Sequence, residues 1–86
     1  MKIVGLSDIL RKETHLFYRR EFKASATVEM MGTIRTFPVE FVLEHTPTGS
    51  IDINTTIHGD TDFPVMPVLA LLKTHIVDLE RRGALP

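Results

Sequence analysis

The chain has 86 residues, five of them glycine and five proline, no cysteine, and a formal net charge of −1 at pH 7. That length makes one domain, residues 1–86, whose small core leaves stability dependent on good packing or on oligomerisation. Without cysteine there is neither a disulfide nor a thiolate metal site, no apolar run approaches the roughly 20 residues of a membrane span, and Lys2 is not followed by a signal-peptide core, so a soluble, cytoplasmic protein is expected.

Residues 1–6 read as an irregular apolar lead-in. Ser7 and Asp8 suit a helix N-cap. From there Leu6, Ile9, Leu10, Leu16 and Phe17 share one side of a 3.6-residue period, with Arg11, Lys12, His15 and Arg19 opposite. The spacing predicts a helix over 7–19. The rival reading carries the following strand backwards through Leu16, Tyr18 and Arg20.

Phe22 to His58 predicts a three-stranded antiparallel meander. Gly32-Thr33 fits a type II′ turn, which needs φ > 0 at its first central position. That turn sets Val28 against Phe37, Ala26 against Val39, Ala24 against Phe41 and Phe22 against Leu43, all apolar, with Arg35 inward near the turn. A slip of one residue would mismatch the faces. Pro47-Thr48-Gly49 predicts a three-residue hairpin loop with Gly49 left-handed. Thr46 then pairs with Ser50, Leu43 with Ile53, Phe41 with Thr55 and Val39 with Ile57. Pro38 falls inside the central strand, where its missing N–H predicts a bulge or break.

After His58-Gly59-Asp60-Thr61-Asp62, Asp62 is the expected N-cap of a second helix running to about Arg82, with Gly83 closing it. Val65, Val68, Leu69, Leu72, Ile76 and Leu79 form its apolar stripe, to be laid on the sheet. Met66, Ala70 and Val77 form a thinner line, either covered by the N-terminal helix or free for a partner. The expected fold is α+β, a three-stranded antiparallel meander with two helices on one face, in the order α-β-β-β-α.

Charge is unevenly placed. Residues 1–23 carry six positive and three negative side chains, and residues 24–62 carry one positive and six negative. Glu44 and Asp52 fall opposite each other on the outer face, with Glu40 two residues along. This acidic face can simply be solvated, or it can dock a basic partner such as the Arg19-Arg20 segment of a second copy. His58, Asp60 and Asp62 combine imidazole and carboxylates, the ligand types of a divalent-metal site. The same residues also make an ordinary polar turn before a helix, and a helix N-terminus disfavours a cation. No nucleophile motif and no phosphate-binding glycine loop is present, so neither catalysis nor a cofactor is expected.

The α-β-β-β-α order resembles that of double-stranded RNA-binding domains. The resemblance implies duplex-RNA binding, but that family carries a lysine cluster where this chain reads Asp60-Thr61-Asp62-Phe63-Pro64-Val65-Met66-Pro67. Phosphate contacts would then fall to the basic residues of the first helix alone. The expected function is a small non-catalytic protein–protein interaction module, homodimeric. Arg19, Arg20, Glu40, Glu44, Asp52, Met66 and Val77 are the candidate contact residues. The strand Ser50 to Ile57 is the better open edge, with Thr56→Pro expected to block it.

Overall fold

The computed structural model describes residues 1–86. Four strands and one helix follow in chain order: β1 (Lys2–Lys12), β2 (Arg19–Met30), β3 (Thr33–His45), β4 (Ile51–Ile57) and α1 (Val65–Arg81). The strands form one antiparallel sheet in the order β1-β2-β3-β4. α1 crosses one face and buries Val68, Leu72 and Ile76 completely. Beneath it lie Phe22, Ala24, Ala26, Val28 and Met30 of β2, and Phe37, Val39, Phe41 and Leu43 of β3. Every fully buried residue is apolar.

The expected N-terminal helix is a strand, which makes the architecture β-β-β-β-α with one helix instead of two. The physical reason is a pair of bulges. Between Ile3 and Gly5, β1 advances two residues while β2 moves one, and between Ser7 and Leu10 it advances three against two. Each bulge inserts one unpaired residue and shifts the inward face by one. Ile3, Leu6 and Ile9 therefore all pack against the core. Their spacing of three imitates a helix although the backbone is extended. Asp8, expected as an N-cap, lies in the second bulge at φ 52. Leu10 is 67% exposed and Phe17 fully so; neither belongs to an inward stripe.

The β2–β3 turn also differs. Its two central residues are Met31 and Gly32, at φ 48 and φ 78, and Met30 pairs with Thr33. Positive φ at both positions is type I′, whose twist matches that of the flanking strands. The ladder is displaced by two residues from the expected one: Phe22 faces Phe41, Ala24 faces Val39 and Ala26 faces Phe37. A slip of two preserves the faces, so the inward set is unchanged. Two gains accompany this register. Phe22 and Phe41 stack with centroids 5.0 Å apart, and Arg19 and Lys23 lie opposite Glu44 and Glu40. Opposite charges across an antiparallel pair are favourable.

The β3–β4 hairpin has the expected register, with Leu43 facing Ile53, Phe41 facing Thr55 and Val39 facing Ile57. The Thr46 N–H donates to the Ser50 carbonyl at 2.9 Å, and Gly49 is left-handed at φ 88. Pro38 causes neither bulge nor break, and pairs regularly with Ser25. Its carbonyl accepts from the His58 N–H at 3.0 Å. In an antiparallel ladder a residue's N–H and C=O point to the same neighbour. The missing donor of Pro38 thus faces His58, just past the end of β4, where the ladder is already finishing.

The N-cap of α1 is Pro64, with no capping side chain. Asp62, expected there, instead accepts from Arg35 Nη1 at 2.6 and 2.7 Å. Phe63 folds in to stack on Phe37, centroids 5.1 Å apart. At the other end the Gly83 N–H donates to the Glu80 carbonyl and the Ala84 N–H to that of Leu79. This is the Schellman closure that a left-handed glycine permits.

Candidate interaction surface

The two edges of the sheet differ in how well they are protected. β1 carries both bulges, a left-handed Asp8 and a lysine at each end. Bulges and edge lysines are the usual means of preventing a strand from pairing with another chain. β4 reads Ile51-Asp52-Ile53-Asn54-Thr55-Thr56-Ile57, with no bulge, proline or lysine.

Hydrogen-bond parity shows which backbone groups β4 leaves free. The bonded pairs Thr46–Ser50 and Pro38–His58 bracket the ladder. Alternation between them makes Asp52, Asn54 and Thr56 the residues bonded to β3. Ile51, Ile53, Thr55 and Ile57 point their N–H and C=O groups outward. These four also have their side chains on the helix-bearing face. Thr56→Pro, the expected edge-blocking change, would instead break the internal ladder; Thr55 is the position whose N–H faces out.

Along this edge runs a groove of about 260 Å³ between β4 and α1, lined by Ile51, Ile53, Val77, Glu80 and Arg81. Val77, from the thin apolar line of α1, is half-buried in its wall. Met66 of the same line is exposed. Since there is no N-terminal helix, nothing of that kind covers the line.

The charged candidates pair within the chain. Arg19 Nη1 donates to Glu44 at 3.0 Å. Arg20, facing the helix side, donates through Nη1 to Glu80 Oε1 at 3.0 Å and through Nη2 to Oε2. This clamp joins β2 to the last turn of α1, and the Arg20 guanidinium holds the Glu80 carboxyl below its ordinary range. On the outer face, Glu40 receives Lys12 Nζ at 2.9 Å and His58 Nε2 at 2.9 Å, with Lys23 Nζ at 3.9 Å. The hydrogen bonds from Lys12 and then His58 pull its pKa down to about 2. Asp52 lies opposite Glu44 as expected.

The histidine and two aspartates of the 58–62 loop turn to different partners. His58 engages Glu40, Asp62 engages Arg35, and Asp60 is exposed. No group of three or more His, Cys, Asp or Glu side chains is arranged to hold a metal ion. Sequence reasoning missed Glu80, whose partner is 60 residues away. It also missed the exposed Leu16-Phe17-Tyr18 tip between β1 and β2, because the apolar spacing there imitates a helix.

The resemblance to double-stranded RNA-binding domains does not survive the fold, because it rested on an opening helix where β1 stands. The sequence profile of the BB_0187 family matches residues 1–81. The chain belongs to the BB_0187 family. No curated protein and no solved structure matches it. No helix of this family member is long and apolar enough to cross a membrane.

Proposed function

We propose that this chain is a non-catalytic protein–protein interaction module that self-associates through the edge of β4. The observation that carries the reading is the contrast between the two edges: β1 is bulged and flanked by lysines, whereas β4 offers four outward-facing residues with no blocking device. Strand addition supplies affinity through main-chain hydrogen bonds and specificity through pockets for alternate side chains. The groove against Val77 is such a pocket. The absence of cysteine suits a reducing compartment, in keeping with a cytoplasmic role.

The test is molar mass by light scattering over a dilution series, for the wild type and Thr55→Pro. The substitution removes an outward N–H and a buried hydroxyl that has no hydrogen-bond partner, so the β3–β4 ladder stays intact. The wild type should move from dimer to monomer on dilution, as an interface of one short strand pair is small. Thr55→Pro should stay monomeric with an unchanged circular dichroism spectrum. A wild type that is monomeric up to its solubility limit would sink the reading.

A further inference from the structure

The outward backbone groups of β4 sit at Ile51, Ile53, Thr55 and Ile57, an evenly spaced set centred on Asn54. A second copy approaching about a two-fold axis must pair outward residues with outward residues, because only those have free N–H and C=O groups. That condition excludes every register displaced by an odd number of residues, which would also turn the helix-side face over. Among the remaining registers, one uses all four residues of each strand. It sets Asn54 against Asn54 of the second copy, Ile53 against Thr55, and Ile51 against Ile57. A displacement of two in either direction leaves one outward residue of each strand facing a left-handed glycine, Gly49 at φ 88 or Gly59 at φ 92.

The side chains agree with the same register. On the helix-bearing face the opposed pairs are Ile51–Ile57 and Ile53–Thr55, all β-branched, a favourable cross-strand combination. On the other face Asp52 meets Thr56, so the only charged residue of the strand meets no like charge. The groove lined by Ile51, Ile53 and Val77 lies beside the position that Ile57 of the second copy would take. Its volume of about 260 Å³ leaves room for that side chain.

We infer that β4 pairs antiparallel with β4 of a second copy about a two-fold axis at Asn54, with Ile57 of each copy seated in the Ile51–Ile53–Val77 groove of the other. This rests on the self-association proposed above and specifies how it is built. The two sheets then become one continuous sheet with both helices on the same face. Arg19, Glu40 and Glu44 stay on the opposite face, outside the contact.

The chain has no cysteine of its own, so single cysteines report the register without ambiguity. Asn54→Cys places two thiols in a non-hydrogen-bonded pair about 4.5 Å apart between Cα atoms, within the reach of a disulfide. Under mild oxidation Asn54→Cys should form a covalent dimer. Asp52→Cys and Thr56→Cys should each stay uncoupled alone and couple with each other when mixed. Val77→Asp, placing a charge in the groove, should raise the concentration at which the dimer dissociates by about tenfold or more, a change of about 1.4 kcal/mol, with circular dichroism unchanged. Coupling of Asp52→Cys or Thr56→Cys with itself in preference to Asn54→Cys, or a dissociation midpoint unmoved by Val77→Asp, would overturn this arrangement while a wild-type dimer still stood by light scattering. A strict wild-type monomer would overturn the self-association itself.

Discussion

Met31 sits at φ 48 in the β2–β3 turn with its side chain fully exposed. A left-handed conformation costs an L-residue other than glycine or asparagine roughly 1–2 kcal/mol. No packing is lost on replacing a side chain that packs against nothing. Met31→Asn puts the preferred Asn-Gly dipeptide of a type I′ turn at residues 31–32. It should recover part of the cost, about 0.5–1 kcal/mol. For a domain of this size that corresponds to roughly 2–8 °C in Tm. Urea denaturation followed by circular dichroism measures it directly: the midpoint should rise while the m-value stays constant. If the turn were instead Gly32-Thr33, Met31 would be a strand residue, and asparagine there would lower the midpoint because it is disfavoured in strands. An unchanged or lowered midpoint would therefore refute the turn type and the two-residue displacement of the ladder.

Leu72 and Leu10 separate the fold from the two-helix alternative. Leu72 is fully buried and Leu10 is 67% exposed, so Leu72→Ala should cost about 2–5 kcal/mol and Leu10→Ala within about 0.5 kcal/mol, both read from urea midpoints. A large loss at Leu10 would revive an N-terminal helix. The Arg20–Glu80 clamp makes stability depend on pH. The carboxyl of Glu80 has a lower pKa folded than unfolded, so its contribution is present above the unfolded value near 4.5 and fades as pH falls through the depressed folded value. Glu80→Gln should be less stable than the wild type at neutral pH, with the gap closing in acid. A gap independent of pH would show that the carboxylate charge contributes nothing.

Much of the inner sheet was legible because its signal has period two. Phe22 to Met30 and Phe37 to Leu43 alternate, and Leu43 leads through Pro47-Thr48-Gly49 into Ile53 with one register that satisfies both turn chemistry and face. The candidate surface was legible only coarsely. The edge at residues 50–57 could be named from the pattern, but which of its residues face outward could not. That parity is set by the bonded pairs at Ser50 and His58. The charged candidates were found as residues and misplaced as partners: Arg19, against Glu44, looked available to a second copy until the ladder was displaced by two. The alternation of Arg19 and Lys23 against Glu44 and Glu40 was the one signal that could have chosen that register.

By itself the sequence determined which side chains are apolar at which period. That settled the inward face of β2 and β3, the β3–β4 hairpin, the Val68–Leu72–Ile76 stripe of α1 and its closure at Gly83. Each is local chemistry, readable within a few residues. Tertiary structure alone decided the rest. β1 exists as a strand because β2 holds it across two bulges, and those bulges turn an extended chain into a spacing of three at Ile3, Leu6 and Ile9. The β2–β3 register was undetermined because a slip of two leaves every face intact; turn geometry, aromatic stacking and cross-strand charge broke that tie. Arg20 found Glu80 only because α1 lies back across the sheet. Contacts between residues so far apart in the chain leave no periodic trace in the sequence.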